Sequence, residues 1–378
     1  MSIFVGRVCV NCVMDESDPL ISFDEKGVCN HCKEYTGTAE KKLLPPTQRD
    51  AELKNIISLI KSEGKGKKYD CILGISGGTD SSYMAYLAKK NGLRPLIVHF
   101  DNGWNSELAV KNIENILSKL EFDLETFVID WEEFKDIQLA YLKAGVIDIE
   151  AITDHAIAGT LYKLAGKHNI KYILSGYNVV TEAILPNAWV HNKQDHINII
   201  DIHNKFGTIP LKNFPFFDSM SKKKYINAKG IKTINILNYI DYNKKKVQQI
   251  LKDELDWRDY GGKHYESIFT RFYQGYILPT KFNVDKRKAH LSTLICSGQI
   301  TKEDALEELE KPIYDIEQLK TDKEFVLKKL GLSEEEFEGI MKKEPVPHSN
   351  FKVGTGSIYD EYKWLKPFKP ILSSIKRK

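Results

Sequence analysis

Tyr69-Asp70-Cys71-Ile72-Leu73-Gly74-Ile75 runs directly into Ser76-Gly77-Gly78-Thr79-Asp80-Ser81-Ser82, and this junction decides the fold. The first seven residues are a short apolar run of strand character, and the residues after Ser81 turn to helical spacing, ending near Asn91 before Gly92. A glycine pair between a strand and a helix lets the backbone amides approach an anion, and the helix start adds free N–H groups and the positive end of its dipole. The hydroxyls of Ser76, Thr79, Ser81 and Ser82 add donors for phosphate oxygens. No Gly-Lys-[Ser/Thr] closes the loop, so it is not a Walker A motif.

Working outward, strand and helix patterns alternate. Strands are expected at Arg94–Phe100, Leu124–Ile129 and Lys171–Ser175, and helices at Ser106–Leu120, Trp131–Lys143 and Thr153–His168. Such alternation predicts an α/β fold, a parallel sheet covered on both faces, with ligands beyond the carboxyl ends of the strands. Residues 201–240 are poorly patterned and read as a loop able to cover a site, whereas the chain beyond about Asp241 reads as helical. Three domains are expected: 1–48, 49–240, and 241–378 ending in a basic tail.

Cys9-Val-Asn-Cys12 and Cys29-Asn-His-Cys32 stand 16 residues apart, the spacing of a four-cysteine zinc ribbon. Four thiolates leave no open coordination position, so the zinc is expected to be structural and His31 a bystander. Only Cys71 and Cys296 remain.

The whole chain holds 378 residues, with 55 Lys and Arg against 52 Asp and Glu. A net charge of +3 argues against a general nucleic-acid or membrane-surface binder. No apolar run is long enough for a membrane span, Arg7 interrupts any secretory core, and a cytoplasmic protein is expected.

The Ser-Gly-Gly-Thr-Asp-Ser-Ser loop resembles that of the PP-loop ATP pyrophosphatases. Together with both cysteine pairs it resembles, more narrowly, the N-acetyl sugar amidotransferases of the WbpG and PseA type. His99 to Asn105, Thr153-Asp154-His155-Ala156, Gly176-Tyr177-Asn178 with Thr181-Glu182, Gly262 to Ser267, Leu278 to Phe282 and Asp285 to Ser292 carry that resemblance. Length and lysine-rich composition point within it to the pseudaminic-acid branch. The resemblance implies a PP-loop domain between a zinc ribbon and a helical domain. It also implies conversion of an N-acetyl group on a nucleotide-linked sugar into an acetamidino group, through an O-adenylyl imidate and ammonia. ATP, Mg2+ and structural Zn2+ are the implied cofactors, and a separate glutaminase subunit the implied ammonia source.

Carried onto these positions, Ser76 through Ser82 cradle pyrophosphate and Asp80 lies near magnesium. Ile75 and Phe100 would line adenine, and Gly176 would let the nucleotide pass. Arg287, Lys281 and Lys286 are the cations expected beside pyrophosphate. Asp154, His155 and Glu182 are the polar residues expected at the reacting amide and amine, while Trp104 and Asn105 read as either entry-lining or core. The PP-loop enzymes that thiolate tRNA are the competing reading; they need further cysteines that Cys71 and Cys296 supply poorly. A non-catalytic nucleotide sensor is the third.

Overall fold

The computed structural model describes residues 6–262, 265–362, 364 and 366. The basic tail therefore falls almost wholly outside the described residues, as do Lys263 and His264. Two helices follow the cysteine segment, α1 (Asn30–Lys42) and α2 (Pro46–Glu63). Then β1 (Cys71–Gly74), α3 (Thr79–Lys90), β2 (Pro95–Asp101), α4 (Glu107–Leu120) and β3 (Leu124–Val128) alternate, followed by α5 (Trp131–Ala144), α6 (Ala151–Lys167) and β4 (Tyr172–Ser175). Next come α7 (Val179–Glu182), α8 (His196–Phe206), α9 (Ser219–Lys222), β5 (Lys232–Asn235) and α10 (Lys244–Leu255). The C-terminal helices are α11 (Ile268–Phe272), α12 (Leu278–Phe282), α13 (Lys286–Cys296), α14 (Lys302–Glu310), α15 (Ile316–Leu330), α16 (Glu334–Lys342) and α17 (Ile358–Glu361).

The five strands are all parallel in the order β3-β2-β1-β4-β5. The chain winds one way from β1 and then crosses back to β4, so the switch point lies between β1 and β4, where an open α/β sheet binds its ligands. Period-two alternation divides β1: Cys71 and Leu73 face the layer of α2, α3, α4 and α10, while Ile72 packs with Leu164 and Ala165 of α6.

Two expectations change. Residues 201–240 are not a loop; they finish α8, continue through α9 and supply β5, which pairs with β4 from Tyr172↔Lys232 to Ser175↔Asn235. A four-residue edge strand with exposed Lys232 and Thr233 has too little apolar periodicity to read from sequence. α10, expected with the C-terminal helices, packs instead on α3 and α4 through Val247, Leu251 and Leu255.

The cysteine segment shares its apolar core with the C-terminal helices and with α5 and α6. Its antiparallel pairing is limited to single bridges, Val8↔Asp15 and Phe23↔Cys29. Lys288 of α13 donates to buried Asp15, Ser292 accepts from Val13 N at 3.2 Å, and Lys302 donates to the Cys9 carbonyl at 2.7 Å. No helix among the described residues is long and apolar enough to cross a membrane.

Candidate functional site

The loop after β1 is shaped by two close approaches. Gly77 has φ +80°, and a Cβ there would stand 2.6 Å from the Ala109 carbonyl of α4, so only glycine fits. Its own carbonyl accepts from Trp257 Nε1 at 2.8 Å, and Trp257 is buried. Asn112 of α4 grips Arg258 on both sides, donating to its carbonyl and accepting from its N–H. α4 and the chain following α10 thus hold the loop from outside.

Within it, Ser76 N donates to Ser81 Oγ at 3.2 Å and Gly78 N to Ser76 Oγ at 3.2 Å. α3 starts at Thr79 behind Gly78, which supplies no side-chain cap, and Thr79 there meets the Tyr260 hydroxyl. Ser82 Oγ, fully buried in that turn, has no hydrogen-bond partner among the described residues. Gly77's conformation, the uncapped helix start and this orphaned hydroxyl fit an anionic phosphate chain.

Three residues that sequence reading gave no role surround the loop. Tyr242 donates to Asp80 Oδ1, and burial followed by the Asp80 carboxylate raises its pKa well above the ordinary range. Ser76 Oγ donates to Glu266 Oε1 at 3.4 Å, and a Cβ on Gly78 would lie 3.0 Å from that oxygen and 3.1 Å from the Tyr260 hydroxyl. Burial, then Glu266 and Asp80, raise Tyr260 as well. Glu266 is held by pairing of its segment with the connection between β2 and α4: Ser106 N donates to its carbonyl at 2.9 Å and Ile268 N to that of Trp104 at 2.8 Å. The motif containing Glu266 was legible; its contact across 190 residues was not.

Ile75 and Phe100, expected beside adenine, differ in how their backbone is engaged. The β1–β2 ladder ends where Ile75 N donates to Val98 O at 2.8 Å, and His99 Nδ1 meets Ile75 O at 3.1 Å, so both Ile75 backbone groups are engaged. Phe100, two residues beyond Val98, points its N–H and C=O to the same side, past the end of that ladder. After β4, a Cβ on Gly176 would lie 3.4 Å from Asp80 Cβ, an ordinary contact distance that sets this residue directly beside α3. Glu182, in α7, adds to the raised pKa of Tyr242 and joins the Asp80 neighbourhood.

A second polar group lies at the start of α6. Leu161 meets Gly74 of β1, with its Cδ1 3.6 Å from where a Cβ would be, and Asp154 is two helical turns earlier, about 10 Å nearer the carboxyl edge of the sheet. Lys193 donates to both carboxylate oxygens of buried Asp148 at 2.6 Å and stands 3.4 Å from Asp154 Oδ2. Asp154 keeps 51% of its side chain exposed; burial of its carboxyl raises its pKa, with Glu150 and Asp148 adding to the rise against Lys193 and Lys286. Lys286, expected beside pyrophosphate, contributes only a weak electrostatic effect at Asp154.

Other expected site residues do different work. His155 is 1% exposed; its Nε2 accepts from Phe217 N at 2.8 Å and its Nδ1 meets the Lys193 carbonyl at 2.9 Å. With both nitrogens taken by backbone, the ring is a neutral brace, and desolvation pulls its pKa down to about 4. Lys281 donates to the Ile340 and Lys343 carbonyls and so caps α16. Arg287 is held by Asp285 and by the Glu308 and Lys311 carbonyls at the end of α14. Neither cation is directed at the loop. Trp104 is core, 1% exposed, with Nε1 donating to Gln138.

At the N-terminus the Sγ atoms of Cys9, Cys12, Cys29 and Cys32 all lie within 4.8 Å of one another and are buried. Closest separations are 3.7 to 3.9 Å, against about 3.8 Å for a tetrahedron with zinc–sulfur bonds of about 2.3 Å. Cys29 N, Asn11 N and Met14 N donate to cluster sulfurs, as thiolate ligands require. The donor set fits zinc. His31 is paired with Asp18 at 2.7 Å and stays outside it.

A family model described as LPS biosynthesis protein WbpG-like, C-terminal domain, matches residues 266–366, and one described as Queuosine biosynthesis protein QueC matches residues 70–165. The first match lies on the C-terminal helices, and the second runs from β1 into α6 and takes in the loop after β1. It is 26% identical over 317 residues to an uncharacterized protein of Methanocaldococcus jannaschii, covering 81% of this chain and 92% of that one. It is 34% identical over 76 residues to tRNA(Ile)-lysidine synthase of Chlamydia pneumoniae, covering 19% and 23%. Similar solved structures include NMN synthetase from Francisella tularensis (TM-score 0.30, 12% identity, 61% of this chain and 93% of that chain). The NH3-dependent NAD synthetase from Campylobacter jejuni is another (TM-score 0.31, 12% identity, 56% and 84%).

Proposed function

We propose that this protein is an ATP-dependent amidotransferase that converts an N-acetyl group of a nucleotide-activated sugar into an acetamidino group. One observation carries the reading. The WbpG-like segment begins at Glu266, and Glu266 reaches Ser76 of the PP-loop at 3.4 Å, so the two matched segments meet at one site.

An amide carbonyl is a poor electrophile. Its oxygen attacks the α-phosphorus of ATP, pyrophosphate leaves into the Ser76–Ser82 cradle, and ammonia then displaces AMP from the adenylylated imidate. The uncapped start of α3 and the loop hydroxyls stabilise charge on the departing pyrophosphate. The edge groups of Phe100 receive adenine. Asp80 would hold magnesium, which neutralises phosphate charge when bound. Lys193 orients Asp154, whose raised pKa suits proton exchange with an incoming amine. His155, Lys281 and Arg287 have no part in this assignment. CMP-linked pseudaminic acid and UDP-linked diacetamido uronic acids are the substrates to try, for flagellin or surface-polysaccharide glycosylation, with ammonia delivered by a separate glutaminase.

Incubation with ATP, an ammonium salt and these sugars is expected to yield AMP, pyrophosphate and a sugar lighter by about one mass unit, because NH replaces O. Sulfur transfer to tRNA under matched conditions, or nucleotide binding with no pyrophosphate release on any N-acetyl sugar, would overturn the proposal.

A further inference from the structure

The four-cysteine cluster has a fifth sulfur beside it. Cys296, the last residue of α13, places its Sγ 3.6 Å from Cys32 Sγ, as close as the cluster sulfurs are to one another. Asn11 Nδ2 contacts both, at 3.3 Å to Cys32 and 3.9 Å to Cys296. The geometric tetrahedron is complete without Cys296, and Cys296 is partly exposed where the other four are buried. A spare, reachable thiol in contact with a metal-bound thiolate has one distinctive chemistry: it takes an oxidant first and then captures its neighbour.

We propose that Cys32 and Cys296 form a peroxide-sensitive pair that releases the zinc. Cys296 sulfur attacks hydrogen peroxide, breaking its O–O bond, and becomes a sulfenic acid with loss of hydroxide. Cys32 sulfur then attacks the Cys296 sulfur, expels a second hydroxide and forms the disulfide. Two electrons pass from the two sulfurs to one peroxide, and two protons from solvent convert the hydroxides to water. Zinc is left with three thiolates and dissociates, and a dithiol with added zinc reverses the change. The sulfurs need to close from 3.6 Å to about 2.05 Å, a side-chain movement.

α13 relays the event. Thr293 Oγ1 accepts from Ile184 N at 3.1 Å, Ser297 Oγ donates to the Val180 carbonyl at 2.8 Å, and His290 Nδ1 meets the Thr181 carbonyl at 3.1 Å. These bonds hold the α7 segment that carries Glu182. Loss of zinc thus loosens a helix braced against the nucleotide end of the sheet.

The test treats the reduced, zinc-loaded full chain with hydrogen peroxide, follows zinc with a chromogenic chelator and maps disulfides by mass spectrometry. A Cys32–Cys296 linked peptide appearing in step with zinc release is expected. Cys296→Ser and Cys296→Ala should release zinc about tenfold more slowly at the same peroxide dose. Alkylating Cys296 in the folded wild type should protect equally, which keeps the test decisive if a variant folds poorly. Zinc release at the wild-type rate from alkylated protein, or disulfides confined to Cys9, Cys12, Cys29 and Cys32, would overturn the proposal.

Discussion

At the scale of single residues, the loop offers the sharpest tests. Asp80→Asn keeps size and the contact with Tyr242 but removes the carboxylate charge; AMP formation is expected to fall by at least about tenfold with zinc content unchanged. Activity equal to wild type would remove Asp80 from the phosphate end. Gly77→Ala forces a left-handed conformation costing roughly 1–2 kcal/mol and pushes a methyl group towards the Ala109 carbonyl, 2.6 Å away before relaxation. ATP turnover and the denaturation midpoint should therefore both fall, measured on the same preparation, and a variant with both unchanged would contradict this account of the loop. The loop residues were legible because strand, glycine pair and helix start are contiguous. Tyr242, Tyr260 and Glu266 were not, because each reaches the loop from at least 160 residues away and no local pattern records such a contact.

At the scale of elements, the cysteine segment and α13 behave as one unit, because Lys288 donates to Asp15 and Ser292 accepts from Val13 N. Cys9→Ser should abolish stoichiometric zinc and lower the thermal midpoint, since metal binding stabilises the folded segment. Retention of full zinc would show that another donor completes the site. The 257–266 stretch is the second such element. Trp257→Phe removes the indole N–H donated to Gly77 O, a loss of about 1–2 kcal/mol that falls on the loop. Its expected signature is a raised KM for ATP with the zinc site intact.

At the scale of the whole molecule, buried histidines join distant segments and set the response to acid. His155 ties α6 to residues 193 and 217, and His348 ties the chain near its end to Asp148 and Asn198. Burial draws both pKa values down to about 4 from the ordinary 6.5. The unfolded chain therefore takes up protons first as pH falls. Stability present above about pH 6.5 declines towards pH 4, by about 2 kcal/mol per histidine at about pH 5. Asp136 and Asp195, held below the ordinary 3.8 by their hydrogen bonds despite burial, add their loss only at still lower pH. Urea midpoints at about pH 7 and pH 5 check this, and a flat profile across that interval would contradict it.

Sequence alone determined the parallel α/β architecture, the strand–glycine-pair–helix junction and the convergence of four cysteines, because each is written in contiguous residues or fixed short spacings. Tertiary structure decided which polar groups stand beside the loop and which are engaged elsewhere. It brought Lys193 beside Asp154 and Glu266 onto Ser76, and it engaged His155, Lys281 and Arg287 in bracing and capping. A cation, carboxylate or imidazole has the same identity whether it meets a substrate or a helix end. Only the arrangement of its neighbours determines which of these it does.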